Sequence, residues 1–163
     1  DFSGKGEVTV QEGRILIGMG VMSGITCTSE IPRMNYEVNL EAMRVEGSDF
    51  FCTLTFPVEK DPCSLVVGGW GGGLVGLSCL DGEDAANNET TKFMGFENKR
   101  WYKIRLRVAP SKIQAWINQE KLVDVTTTDR KISIRWEVEA SLPFGIATWA
   151  TTGAVRNITI RRL

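Results

Sequence analysis

Trp101-Tyr102-Lys103-Ile104-Arg105-Leu106-Arg107-Val108 is the stretch that decides the fold. Tyr102, Ile104, Leu106 and Val108 fall on one side and Lys103, Arg105 and Arg107 on the other, the period of two that marks a half-buried β-strand. After a turn at Pro110-Ser111 the pattern returns, with Ile113, Ala115 and Ile117 set against Gln114, Trp116 and Asn118. It is read a third time over Lys131 to Val138, where Ile132, Ile134, Trp136 and Val138 alternate with Lys131, Ser133, Arg135 and Glu137. Helical periodicity is absent beyond a turn or two.

Upstream, Glu7-Val8-Thr9-Val10 and Arg14-Ile15-Leu16-Ile17 flank Gln11-Glu12-Gly13, a hairpin by its turn chemistry. Gly24 to Cys27 reads as a short strand. Asn35 to Val45 places Tyr36, Val38, Leu40 and Ala42 opposite Glu37, Asn39, Glu41 and Met43. Gly47-Ser48-Asp49 then turns the chain into Phe50 to Phe56, where Phe50, Cys52, Leu54 and Phe56 oppose Phe51, Thr53 and Thr55, and Pro57 to Pro62 reads as a loop. Within Ser64 to Leu80 lies Gly68-Gly69-Trp70-Gly71-Gly72-Gly73. A phosphate-binding glycine loop requires a helix after it, but Leu74 to Cys79 continues as a strand, so these glycines predict a tight hairpin with Trp70 near the rim. Turns every 8–12 residues predict an all-β sandwich or barrel.

The 163 residues, 42% hydrophobic, suit one domain over 1–163. Nineteen Lys and Arg against 20 Asp and Glu leave no net field toward nucleic acid or an anionic membrane, so neither is expected as a partner. The apolar runs Ser64 to Val67 and Gly73 to Leu80 are far shorter than the roughly 20 residues of a membrane span. A start at Asp1 fits either an exported, processed product or a piece of a longer protein. Cys27, Cys52, Cys63 and Cys79 lack the CxxC spacing of zinc ligands; they read either as buried thiols or as holding one disulfide, with Cys52 to Cys63 the pair to test. There is no histidine, which removes the usual serine and cysteine nucleophile schemes.

Several segments together resemble the 3-keto-disaccharide hydrolase family. Tyr36-Glu37-Val38-Asn39-Leu40-Glu41, Arg100-Trp101-Tyr102-Lys103-Ile104-Arg105, Ile113-Gln114-Ala115-Trp116-Ile117-Asn118, Gly145-Ile146-Ala147 and Val155-Arg156-Asn157-Ile158-Thr159-Ile160 carry the likeness. Gln119 stands where the family has a hairpin glycine, and Gly47-Ser48-Asp49 where it has Asn-Ser-Gly. The resemblance implies a two-sheet antiparallel jelly-roll β-sandwich of the concanavalin-like kind. It also implies an oligosaccharide or polysaccharide partner on one concave sheet face; together with the start at Asp1, an extracytoplasmic or secreted setting is expected.

Outward positions then predict the site. Glu37 and Glu41 are the candidate catalytic carboxylates; Asn39, Thr53, Arg105, Arg107, Gln114 and Trp116 are the candidate substrate-binding set. Carboxylates, amides and guanidinium groups pair with sugar hydroxyls, and an aromatic face stacks on the C–H face of a pyranose. Glu37 and Glu41 lie roughly 13 Å apart along a strand, beyond the two-carboxylate spacings of glycosidases. Elimination from a 3-keto sugar, whose carbonyl acidifies the neighbouring carbon, requires only one base and an electrophile such as Arg105 or a metal. The plainer reading of Glu37 and Glu41 is cross-strand pairing with Arg105 and Arg107. Asp81, Glu83 and Asp84 in the polar loop Asp81 to Thr91 are candidate calcium ligands. A different function, docking of a protein partner, would use an exposed patch of Trp70, Leu74 and Trp149, whereas exposure of Trp116 among polar neighbours would favour the sugar.

Overall fold

The computed structural model describes residues 1–163. Half-buried alternation and turn residues build thirteen strands, all paired antiparallel, in two sheets. One sheet runs edge to edge as β1 (Val8–Gln11), β2 (Arg14–Ile17), β13 (Thr152–Arg162), β4 (Tyr36–Glu46), β9 (Trp101–Ala109), β10 (Lys112–Ile117) and β11 (Glu120–Thr126). The other runs as β3 (Met22–Thr26), β12 (Gly145–Trp149), β5 (Thr53–Val58), β6 (Asp61–Gly69), β7 (Leu74–Ser78) and β8 (Lys92–Phe93). The chain is thus a jelly-roll β-sandwich. No helix is long and apolar enough to cross a membrane.

The alternation of β4 and β9 does what it predicts. Tyr36, Val38, Leu40, Tyr102, Ile104, Leu106 and Val108 face Leu54, Phe56, Leu65, Val67, Val75 and Leu77 in one cluster of 29 buried residues. Burying each aliphatic or aromatic side chain here contributes about 1.5–3 kcal/mol. The two buried tyrosines satisfy their hydroxyls within the fold: Tyr36 donates to the Pro57 carbonyl at 2.5 Å, and Tyr102 accepts from the Glu97 N–H at 2.8 Å.

Several expectations are corrected. Pro57 to Pro62 is not a loop: β5 and β6 continue through it in register, Pro57 opposite Pro62 and Val58 opposite Asp61, leaving Glu59-Lys60 as the turn. Phe50 precedes β5 and packs on the outer side of the sheet, away from Cys52 and Leu54. Lys131 to Val138 is not a strand. Ile132 makes an isolated bridge to Leu80, and Trp136–Ser141 is a short 3₁₀ helix. The segment rests on the six-stranded sheet, where Ile134 and Val138 pack on Met22 and Ala147, while Trp136, which the alternation groups with them, stands in solvent. All four cysteines are free, so the Cys52–Cys63 disulfide is absent; burial pushes both thiols up to about 12 and leaves them inert.

The glycine run forms the β6–β7 hairpin as expected. Gly68 (φ +84°) lies so close to Phe51 that a Cβ would sit 2.9 Å from its ring, and Gly72 has φ +121°. One buried cation anchors this hairpin. Arg44, 6% exposed and in no salt bridge, donates to Gly72 O (3.1 Å), Phe96 O (2.8 Å) and Asn98 Oδ1 (2.6 Å), with its guanidinium 5.5 Å from the Phe51 ring centroid.

Candidate functional site

The side chains predicted to share one face are divided between two. Glu37, Asn39, Glu41, Arg105, Arg107, Gln114 and Trp116 lie together on the outer face of the seven-stranded sheet, where β4, β9 and β10 are neighbours. Thr53 lies on β5, on the outer face of the opposite sheet. No single site holds all of them.

On the first face the carboxylates are engaged. Glu37 accepts from Arg105 and from Arg161, whose Nη2 lies 2.5 Å away. Burial alone would raise the Glu37 carboxyl, but the two guanidiniums outweigh it and hold it below the usual carboxylate range. Glu41 accepts from Asn157 Nδ2 (2.5 Å) and Arg156 Nη2 (3.2 Å), which lower its pKa in that order of effect. These are the ion pairs of the plainer reading, modified in one respect. Two partners, Arg156 and Arg161, come from β13, and Arg107 takes no part. Trp116 is half-buried under Arg105, whose guanidinium carbon is 4.3 Å from its ring centroid. Gln114 donates to Asp124, itself held at a pKa of about 2 by Lys121 and Lys112.

The acidic loop is also spoken for. Asp81 accepts from Arg130 Nε (2.5 Å) and the Lys131 N–H (2.8 Å), and Asp84 from the Ala86 N–H, Asn87 and Arg135. No three acidic, histidine or cysteine side chains gather around one point there, and Asp81 and Asp84 are held by the protein's own donors. Asn88 organises the loop instead, donating to Leu77 O and Asp84 O and accepting from Thr90.

The second face is built differently. The outward residues of β5, β6 and β7 include Thr53, Ser64, Val66 and Ser78, and they floor a cavity of about 200 Å³. Thr53 is 2% exposed and its Oγ1 has no partner, although an unsatisfied buried hydroxyl costs about 1–3 kcal/mol. Two tryptophans at turns stand at the wall: Trp70 in the glycine hairpin, 45% exposed, and Trp149 at the end of β12, 38% exposed. Across from the floor, Arg135 grips Glu137 with two N–H groups (2.8 and 3.3 Å) and reaches Asp84 at 3.2 Å. This pairing outweighs burial and holds the Glu137 carboxyl ionised, below its ordinary range. Asp49 completes the polar set, with Oδ1 accepting from the Phe50 N–H at 2.7 Å.

Here hydroxyls, two carboxylates, a guanidinium and two aromatic rings converge on a space smaller than the roughly 300–1,000 Å³ of drug-sized sites. Trp70 and Trp149 are both exposed, the outcome expected of a protein-docking patch. Yet Leu74 is 2% exposed, and the tryptophans border a polar cavity rather than a continuous apolar surface. Arg135 and Glu137 were hidden in the sequence by the strand-like alternation of their segment. The available signal was a tryptophan inside a glycine run and another just before a turn, places where packing does not require an aromatic.

The fold and this cavity define a class: a jelly-roll sandwich with a polar, aromatic-walled pocket on one sheet. The chain belongs to the family of 3-keto-alpha-glucoside-1,2-lyase-like domains, whose model matches residues 9–161. Among solved structures it is similar to the carbohydrate-binding module CBM66 from Bacillus subtilis, at 12% identity and a TM-score of 0.63 over 99% of this chain and 97% of that one. It also resembles domain 4 of AbnA, an extracellular arabinanase from Geobacillus stearothermophilus in complex with arabinotriose, at 14% identity and TM-score 0.60, covering 96% and 76%. Crh5 transglycosylase in complex with NAG aligns at 9% identity and TM-score 0.61, covering 95% and 74%. At these identities the likeness is one of fold. No curated protein matches by sequence.

Proposed function

We propose that the chain is a carbohydrate-interacting domain that takes a single sugar ring into the pocket on its six-stranded sheet. The observation that carries this reading is the unpartnered Thr53 hydroxyl on the floor of a cavity walled by Trp70 and Trp149. The indoles cover the ring's C–H faces, Glu137 and Arg135 take its hydroxyls as acceptor and donor, and Thr53, whose hydroxyl is fully buried, gains a partner as its side chain rotates toward the ring. The extracellular arabinanase among the neighbours supports an extracytoplasmic setting.

The family match favours a second reading at the same pocket, 1,2-elimination from a 3-keto-glucoside. A carboxylate removes the C2 proton acidified by the C3 carbonyl, and the C1–O bond breaks as the C1–C2 double bond forms. The leaving oxygen then takes up a proton. Glu137 and Asp49 are the carboxylates in the pocket, and Arg135 is the cation able to meet the developing enolate.

Tryptophan fluorescence titration against short oligosaccharides and 3-keto-glucosides, with each mixture read by mass spectrometry, tests both. Binding that Trp149→Ala abolishes, without new products, supports a binding domain. Products that disappear in Glu137→Gln or Asp49→Asn support elimination. Binding or cleavage untouched by all of these variants, or silence toward every sugar, overturns the pocket as the site.

A further inference from the structure

We infer that the outer face of the seven-stranded sheet is a separate docking surface for an acidic, carboxylate-bearing polysaccharide. The whole chain has a net charge of −1, but this face is polarised. On β4, β9 and β13, five cations (Lys103, Arg105, Arg107, Arg156 and Arg161) surround only Glu37 and Glu41, a surplus of three positive charges. Arg105 and Arg161 share one carboxylate, and Lys103 and Arg107 have none. Surplus charge held on a rigid sheet beside a low-dielectric core attracts anions over roughly a Debye length.

The face also carries a groove of about 390 Å³ bordered by Asn39, Glu41, Lys103, Arg105, Gln119 and Trp116. The Asn39 and Gln119 amides and the Lys103 ammonium make no hydrogen bond within the protein, so they are available to a ligand.

The chemistry of the groove selects the partner. A nucleic acid presents one charge per about 1.7 Å of duplex and offers few donors to Glu37 and Glu41, which would repel it. A membrane would need apolar side chains, and the large exposed ones lie elsewhere, at Val8, Val10, Trp70, Phe93, Trp136 and Trp149 among others. A glycan with sparse carboxylates meets both requirements: its hydroxyls donate to Glu41 and pair with the amides, and its acid groups meet Lys103 and Arg107. This surface is on the sheet opposite the pocket, and the two fail independently.

The test is binding of the purified chain to polygalacturonate, with dextran, poly-L-glutamate and duplex DNA as controls, over a salt series. Polygalacturonate is expected to bind with an affinity that falls with salt and drops about tenfold in Lys103→Glu/Arg107→Glu, while Trp149→Ala leaves it unchanged. Asn39→Ala/Gln119→Ala, which alters no charge, is expected to weaken polygalacturonate severalfold and to leave poly-L-glutamate unaffected. Absence of polygalacturonate binding, indifference to the charge reversal in a variant that melts like the parent, or equal affinity for DNA or poly-L-glutamate would overturn the inference.

Discussion

The two outer faces of the sandwich spend their polar residues in opposite ways. On the seven-stranded sheet the carboxylates are consumed by the protein itself: Glu37 lies between Arg105 and Arg161, and Glu41 between Arg156 and Asn157. On the six-stranded sheet a buried hydroxyl, Thr53, is left without a partner beneath two exposed indoles. The first arrangement lowers the energy of the folded chain. The second leaves it higher than it need be, and a ligand can recover that difference. Groups that the fold has not satisfied are thus a guide to a site beside richness in functional groups, and the first face has one of its own in Arg156 Nε.

The largest effect that sharpens this contrast is on stability. Glu37→Gln removes the charge that pairs two arginines and is expected to cost about 1–3 kcal/mol, or roughly 2–4 °C in Tm per kcal/mol, with saccharide binding in the pocket unchanged. Its pH dependence follows from the sign of the shift. A carboxyl held below its unfolded value stabilises the fold above that value, about 4.3, and loses this contribution as pH falls through the depressed folded pKa. The parent should thus lose Tm more steeply than Glu37→Gln below about pH 4, as thermal melts across an acid series would show.

Next comes Trp149→Ala. Saccharide affinity in the pocket is expected to fall at least about tenfold, with Trp116→Ala on the other face within about twofold of the parent, both read by calorimetry. If Trp116→Ala proves the more damaging, the two faces exchange roles. Thr53→Val is smaller and carries opposite signs in two assays: removing the orphan hydroxyl is expected to raise stability by up to about 1 kcal/mol and to weaken binding severalfold. Loss of stability instead would mean that the hydroxyl is satisfied in solution. Smallest of all, Asp124→Asn at the exposed β10–β11 edge is expected to leave Tm within about a degree of the parent.

The strands exposed on one face were legible. β4 and β9 alternate because one face meets the core and the other meets water, and their pairing partners fall where the pattern puts them. Two kinds of element were not. β11 escapes notice because a bulge between Ala115 and Trp116 shifts its register and sets Leu122 beside Val123, breaking the period of two. β5 and β7 are buried along their whole length, so alternation says little about their outer face. Conversely, Lys131 to Val138 alternates in sequence without forming a strand: Ile134 and Val138 rest on the six-stranded sheet, but Trp136, in the same alternating set, stands in solvent at the start of a 3₁₀ helix.

The same logic explains the candidate site. Alternation separates core from exterior, but a sandwich has two exteriors, and nothing in the period distinguishes the one carrying Glu37 from the one carrying Thr53. Fold and family were readable from strand packing motifs. The pocket depended on contacts between Thr53, Trp70, Arg135 and Trp149, which lie far apart in the chain.

Arg44 has a consequence for how such a domain changes over evolutionary time. Its guanidinium holds the glycine hairpin through the main-chain oxygen of Gly72 rather than through any side chain of the loop. The side chain at position 70 can therefore be exchanged without loss of that anchor, within the positive φ that Trp70 (+46°), Gly71 (+88°) and Gly72 (+121°) share. Side chains can be exchanged at that rim without renegotiating the core, which makes the hairpin a module on a fixed socket.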